Sequence, residues 1–138
     1  MKLGMLAIAC VVAITVVPNT LGATAESSSC PVTVTDVRNQ DSRIFVLFTN
    51  TSGKRLDSYQ FGLEFFDDHG GSHPYPENFR AIAHVPFGRR FVAYWHSAHT
   101  LKFLYPRAHA YLLKASFDDG STWADDGSHA CGLMTDEE

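Results

Sequence analysis

The chain has 138 residues, three cysteines and a formal net charge of −4 at pH 7, with charged residues making up 19% of the sequence. Its length fits one domain behind an N-terminal leader. The acidic balance, with no basic stripe, argues against nucleic acid as a partner.

The N-terminus has the pattern of a secretory signal peptide. Lys2 supplies a positive start, residues 3–17 form an apolar run, and Ala23-Thr24-Ala25 is a small-residue cleavage site. The run is shorter than the ~20 residues that span a bilayer. The sequence therefore predicts a cleaved leader at residues 1–25, which removes Cys10, and one mature domain at residues 26–138. That domain is expected to be extracytoplasmic (periplasmic or secreted), with no membrane span after cleavage.

Two cysteines, Cys30 and Cys131, frame nearly the whole mature chain. An oxidising compartment favours pairing of an even number of cysteines. The sequence therefore predicts a Cys30–Cys131 disulfide that clasps the two ends of the domain.

Short alternating runs of apolar and polar residues predict β-strands along the mature chain. Val32, Val34 and Val37 mark the first strand, and the apolar run at residues 44–48 is typical of a central strand. Residues 56–66 follow period two, which places four large side chains on one face: Tyr59, Phe61, Leu63 and Phe65. Five further strands are predicted at residues 79–84, 91–95, 100–105, 111–117 and 122–125.

The last two strands predict a tight hairpin, because Asp119-Gly120 lies at the centre of their turn. The predicted register pairs Phe117 with Thr122, Ser116 with Trp123, Ala115 with Ala124, and Lys114 with Asp125. This register turns Trp123 away from the core. It gives the core face to Tyr111, Leu113, Ala115 and Phe117.

Six to eight strands without a helical period predict an all-β fold. We expect an antiparallel immunoglobulin- or fibronectin-like sandwich of about seven strands, with a closed barrel as the alternative. Trp95 near the middle of the chain and Tyr111 in the penultimate strand suit such a core.

Two segments carry a family resemblance. FTNTSGKRLDSYQFGLEFFDDHG, residues 48–70, has a strand that ends in an Asn-x-Ser turn, a long strand and then Asp-x-x-Gly. PFGRRFVAYW, residues 86–95, resembles a Pro-Gly-led strand, although Phe87 intervenes here. Both resemble small exported bacterial immunoglobulin-like domains, including the FxLYD-like group. The resemblance implies the fold and a bacterial source, and sandwiches host many unrelated functions.

Seven histidines suggest an extracytoplasmic metal-binding protein as an alternative function. His69 and His73 are four residues apart in a Gly-rich turn, and His96 and His99 are three apart after Trp95. Four imidazoles from two loops could bind zinc or copper. Neither segment is helical by pattern, however, so scattered solvated histidines are the simpler interpretation and no cofactor is expected.

Acidic residues and possible nucleophiles provide no enzyme motif. The pairs Asp67-Asp68, Asp118-Asp119 and Asp125-Asp126 are typical of turns. Glu64 and Asp67 are possible acid–base partners, but period two puts Glu64 on the face opposite Phe65. No nucleophile-turn motif such as GxSxG occurs. We therefore expect a protein that is not an enzyme.

Exposed aromatic residues are the remaining candidates for a binding surface, because flat rings provide contact area at low entropic cost. Five rings qualify by sequence: Tyr75, Phe79, Tyr94, Tyr105 and Trp123. Of these we favour Trp123, Tyr94 and Tyr75. The leading hypothesis is a non-catalytic binding module, monomeric or weakly associating, for an unidentified protein or carbohydrate partner.

Overall fold

The computed structural model describes residues 29–40, 43–96 and 105–135. The predicted signal peptide lies outside the described residues. So does the strand predicted at residues 100–105, except for Tyr105, which belongs to no strand. Nine strands are present in the described ranges: β1 (Val32–Gln40), β2 (Arg43–Asn50), β3 (Leu56–Phe66), β4 (Ser72–Pro74), β5 (Phe79–Val85), β6 (Arg90–His96), β7 (Arg107–Phe117), β8 (Thr122–Ala124) and β9 (Gly132–Met134).

These strands form two antiparallel sheets packed as a sandwich, so the all-β sandwich prediction is confirmed and the barrel alternative is wrong. The first sheet has the order β1–β2–β6. In the second, β3 and β7 run side by side, β4 and β5 pair with β3, and β8 and β9 pair with β7. Because the short strands share the outer edges of β3 and β7, the nine strands fill seven positions.

The core forms where the period-two faces of β2 and β3 meet. On β2, every second residue is completely buried, including Val46 and Phe48. On β3, the predicted apolar face is confirmed, and Tyr59 and Phe61 contact Phe48 with ring centroids 5.2 and 5.4 Å apart. These rings join the two sheets.

A bulge in β7 changes which side chains reach the core. Gln60 pairs with Lys114 and Phe61 with Leu112, which leaves Leu113 as an extra residue. Before the bulge the core residues are Ala108, Ala110 and Leu112, and after it they are Ala115 and Phe117. The prediction that Tyr111 and Leu113 belong to the core face is therefore wrong, since both lie against Gly62 on the opposite face.

The predicted hairpin exists, but its register is shifted by one residue. Trp123 pairs with Ala115, not Ser116, and Ser116 pairs with Thr122. A one-residue shift reverses the faces of a strand. Trp123 consequently packs half-buried against the core, and the prediction that it points away is wrong.

The predicted disulfide is confirmed. Cys30 and Cys131 are bonded, with their Cα atoms 5.4 Å apart. Cys30 precedes β1 and Cys131 precedes β9, so the bond ties the two sheets together at one side of the sandwich.

Asn50 ends β2 with a side chain that has no solvent exposure. Its Nδ2 donates to the carbonyls of Lys54 (2.7 Å) and Val85 (2.8 Å). Its Oδ1 accepts from the backbone N–H and the hydroxyl of Ser52. Asn50-Thr51-Ser52 has the Asn-x-Ser sequence of a glycosylation acceptor, but the buried Asn50 side chain is inaccessible to this modification in the folded chain.

Within residues 29–40, 43–96 and 105–135 there is no helix with the length and apolar character needed to cross a membrane.

Candidate functional site

The three favoured aromatic residues lie at three separate places. Tyr75 follows β4 and packs edge-on against Phe65, with ring centroids 5.9 Å apart. Trp123 lies on β8 at the other side of the same sheet. Tyr94 lies on β6 in the three-stranded sheet, and 56% of its surface is exposed. No single surface contains all three, and Tyr94 is the most open of them.

Tyr94 belongs to a continuous apolar surface on the outside of the three-stranded sheet. Phe45 pairs with Tyr94 and Leu47 with Val92 across β2 and β6, and the Phe45 and Tyr94 rings are 6.2 Å apart. Val92 is 47% exposed, while Phe45 and Leu47 are half-buried. We call the four residues Phe45, Leu47, Val92 and Tyr94 the outer apolar surface. Alternation explains it, because the intervening residues fill the core.

A polar rim borders the outer apolar surface along β1. Asp36 lies opposite Leu47 and Arg38 opposite Phe45. Arg38 Nε donates to Asp36 Oδ2 at 2.6 Å. These two side chains line a groove of about 320 Å³ together with Gln40, Phe45, Leu47 and Val92. An apolar centre with a polar rim is the usual composition of a protein-binding surface.

Trp123 lines a second, more polar cleft. This cleft has a volume of about 250 Å³ and lies between residues 29–31, which precede β1, the Thr51–Lys54 turn and the β7–β8 hairpin. Lys54 Nζ contacts both Asp119 Oδ2 (2.7 Å) and Ser121 Oγ (2.9 Å) there. Lys54 holds the pKa of Asp119 well below its usual value, and Ser121 acts in the same direction. The local charges therefore pair with each other within the cleft wall.

The other predicted rings take part in packing. Phe79 stacks on Trp95 with centroids 5.0 Å apart and planes 11° from parallel. Tyr105 packs against Phe65 at 5.8 Å and against the His73 ring at 4.7 Å. Both residues are half-buried.

The turn that contains His69 and His73 is organised by Asp67. His73 Nε2 lies 3.0 Å from Asp67 Oδ2, and the backbone N–H groups of His69 and Gly71 donate to Asp67 Oδ1. The His73 contact, followed by the backbone bond from Gly71, lowers the pKa of Asp67 to about 2. His73 is thus engaged as a turn partner.

The four histidines of the metal hypothesis are not assembled by the part of the chain that the structure describes. His96 ends β6 opposite Arg43, in the other sheet from the His69–His73 turn. His99 lies outside the described residues. Among the described residues, no three His, Cys, Asp or Glu side chains are placed to share a metal ion. The metal site stays a sequence-based prediction.

The acidic pairs form turns, as their sequence suggested. Asp119 Oδ1 accepts from the backbone N–H of Ser121 at 2.9 Å, and Asp126 Oδ1 from that of Ser128 at 2.9 Å. Glu64 accepts a hydrogen bond from the Ser72 hydroxyl. Glu64 and Asp67 thus have separate partners.

Sequence reasoning missed a cluster on the outside of the six-stranded sheet. The rings of His129 and Tyr111 stack with centroids 3.8 Å apart, and the His109 ring centroid lies 5.2 Å from that of Tyr111. His129 has a positive φ of 55°. Asp125 Oδ2 accepts from the backbone N–H groups of Gly127 and His129. The only sequence signal was the alternation of His109 and Tyr111.

Burial governs the electrostatics of that cluster. Burial lowers the pKa of His109; the Glu64 carboxylate opposes this shift, while His129 adds to it. Burial also raises the pKa of Tyr111, with Glu64 and Asp125 acting in the same direction. Tyr111 is only 7% exposed, because the His129 ring covers it. The cluster therefore packs the 125–130 turn, which directly precedes Cys131, onto the sheet.

Comparison with known proteins gives a fold-level likeness alone. No protein-family profile matches the chain. No curated protein matches it either. It resembles a solved structure described as "X-ray structure of Northeast Structural Genomics Consortium target SoR45", with 7% sequence identity and a TM-score of 0.40 over 75% of this chain and 80% of that one. A likeness of this size carries no argument about function.

Proposed function

We propose that the chain is an exported, non-catalytic binding module that recognises a partner protein through the outer apolar surface. The observation that carries this proposal is the exposure of Val92 and Tyr94 beside Phe45 and Leu47 on a sheet face that no described element covers. Contiguous exposed apolar patches on soluble proteins mark interaction sites. The Asp36–Arg38 pair adds a polar rim at which a partner can make directional contacts.

A protein partner suits this surface better than a sugar. A sugar site needs hydrogen-bonding groups that converge on one position beside an aromatic platform. Here the rings of Phe45 and Tyr94 are tilted by 34° to each other, and their neighbours Leu47 and Val92 offer no hydrogen-bonding side chain. Aliphatic and aromatic side chains in one patch instead match the centre of a protein interface.

The finer fold assignment belongs to the same proposal. In immunoglobulin-like sandwiches the first, second and fifth strands share one sheet, and the third, sixth and seventh share the other. When β4 and β5 count as one position and β8 and β9 as another, β6 is the fifth strand, β7 the sixth and β8 with β9 the seventh. The grouping of β1, β2 and β6 in one sheet and of β3, β7 and the last strands in the other then supports this class. The disulfide supports an oxidising, extracytoplasmic compartment.

Selection from a random peptide library tests the proposal. Peptides enriched on the mature domain are titrated against the double variant Val92→Ser/Tyr94→Ser and against Ile82→Ser. Ile82 is a matched control, because it is apolar and 81% exposed but lies on β5 in the other sheet. We expect the double variant to weaken binding about tenfold or more, since central apolar contacts dominate interface energies, and Ile82→Ser to leave binding unchanged. Failure to enrich any peptide, or equal effects of the two variants, would contradict the proposal.

A further inference from the structure

The edge of the three-stranded sheet at β6 differs from the other sheet edges of the described chain. β4, β8 and β9 have three residues each, and the pairing of β1 and of β5 is interrupted by register shifts. Short strands and bulges are ways in which proteins protect sheet edges from added strands. β6 has neither protection, because all seven of its residues pair with β2 in one unbroken register.

The main-chain groups of successive residues in a strand point alternately to its two neighbours. The hydrogen bonds of β2 therefore show which main-chain groups of β6 face away from the sheet. Asn50 directs both main-chain groups to the β6 side: its N–H donates to Arg89 O (3.1 Å) and its carbonyl accepts from Gly88 N–H (2.8 Å). Thr51, one residue later, instead donates to Pro31 O on the β1 side. Even-numbered residues of β2 therefore bond to β6.

The β2–β6 register gives the same alternation for the residues of β6. The even-numbered residues Ile44, Val46 and Phe48 pair with Trp95, Ala93 and Phe91, which therefore turn their N–H and C=O groups toward β2. The alternate residues turn theirs to the outer edge, which no strand of the described residues pairs with: Arg90, Val92, Tyr94 and His96. The main-chain groups of Val92 and Tyr94 thus face the edge, while their side chains belong to the outer apolar surface.

The side chains around the β6 edge are positively charged, which indicates the kind of partner segment that the edge can bind. Four exposed basic side chains surround β6: Arg43, Arg89, Arg90 and His96. No carboxylate occurs on β2, on β6 or in the 86–89 turn between β5 and β6. None of the three arginines has a carboxylate partner among the described residues. This local positive charge contrasts with the net charge of −4 of the chain.

From the edge and its charge we infer that β6 accepts an extended segment of a partner protein as an additional strand, and that this segment carries acidic residues at its ends and apolar residues at alternate positions. The inference rests on the proposed function and names the partner's chemistry. Main-chain hydrogen bonds at the open groups of Val92 and Tyr94 supply affinity, and alternate apolar side chains extend the outer apolar surface. Acidic ends complement Arg90 and Arg89 at one end and Arg43 at the other. A second copy of the chain would bring the same cations to this edge, which disfavours self-pairing.

Two synthetic peptides test the inference on the mature, disulfide-bonded domain. The first has three valines alternating with threonines between pairs of acidic residues, and the second replaces every acidic residue with lysine. We expect the acidic peptide to bind about tenfold or more tightly than the lysine peptide at low ionic strength, with the difference falling as salt is added. Arg89→Glu/Arg90→Glu should reverse the preference, while Arg80→Glu, an exposed position on β5, should preserve it.

Amide hydrogen exchange provides the second readout. The amides of Val92 and Tyr94 should gain protection when the acidic peptide binds, whereas those of Phe91 and Ala93 are already bonded to β2. Shifts of the Val92 and Tyr94 side-chain resonances without amide protection would overturn strand addition and leave the proposed binding surface standing. Equal binding of both peptides, or no binding of the acidic one, would also overturn the inference. Concentration-dependent protection of the same amides without peptide would overturn it too, because it would identify a second copy as the occupant.

Discussion

Asn50 shows how one polar side chain can hold several turns of this sandwich together. It lies where β2 ends, bonds the carbonyl of Lys54 in the following turn and reaches Val85 at the end of β5 in the opposite sheet. Burial of an amide costs free energy unless its hydrogen bonds are made, and here its donors and its acceptor are all engaged. Asn50 therefore joins the two sheets at the end of the sandwich that contains the 86–89 turn between β5 and β6.

Substitution of Asn50 tests this role. We expect Asn50→Ala to lower the free energy of unfolding by roughly 2–4 kcal/mol, because it leaves buried carbonyls unsatisfied in addition to deleting their donor. Asn78→Ala, at an exposed position before β5, is the matched control and should change stability by about 0.5 kcal/mol or less. Urea unfolding of both variants at equal m-value measures the difference. Similar midpoints for the two variants would show that Asn50 has no such role.

At the scale of strands, the sequence predicted the elements better than their registers. The bounds of β3 are predicted correctly, and β2 and β6 are within two residues, because strong apolar periods mark them. On β7, Ala115 and Phe117 are in the core as predicted, but the Leu113 bulge puts Tyr111 and Leu113 on the other face without any Gly or Pro signal. On β8, the face is wrong because the hairpin register differs by one residue from the predicted one. β4 and β9 are missed because three residues are too few to show a period.

The same reasoning explains which binding residues could be predicted. Tyr94 lies on a strand with an unbroken register, so its outward direction follows from the buried Ala93 and Trp95 on either side. Trp123 lies after a turn whose register the sequence leaves open by one residue, and one residue reverses the face. The partnership of Phe45 and Leu47 with Tyr94 and Val92 depends on which strands are neighbours, and local sequence does not contain that information.

Gly62 on β3 lies against Tyr111 and Leu113, the side chains that the β7 bulge places outside the core. A Cβ atom at this position would lie 2.6 Å from the Tyr111 ring and 3.0 Å from Leu113 Cδ1. We expect Gly62→Ala to destabilise the domain by about 1–3 kcal/mol, because β3 and β7 cannot separate without breaking their ladder. In a Tyr111→Val background the same substitution should cost markedly less. A double-mutant cycle from urea unfolding measures this coupling, and additive effects would contradict the proposed contact.

For the molecule as a whole, the two open sides of the sandwich are held together by different interactions. On one side, the Cys30–Cys131 bond fastens the start of β1 to the start of β9. On the other side, β6 and β5 face each other through contacts such as the Phe79–Trp95 stack, and no covalent link joins them among the described residues. The side without the bond carries the regular, seven-residue edge of β6 and the outer apolar surface. The disulfide thus stabilises the fold away from the surface proposed to bind.

This division of roles predicts a separation between stability and binding. The variant Cys30→Ser/Cys131→Ser should lose about 3–5 kcal/mol of stability, because the bond closes a loop with a sequence separation of 101 residues. Wild-type protein unfolded in the presence of a reductant should match it, and without reductant neither sulfur should react with a thiol label. Below its unfolding transition, the variant should retain the affinity of the wild type for a library-selected peptide, since β2 lies between β1, the strand that follows Cys30, and β6, which carries Val92 and Tyr94. Loss of that affinity in folded variant protein would show that the disulfide shapes the binding surface directly.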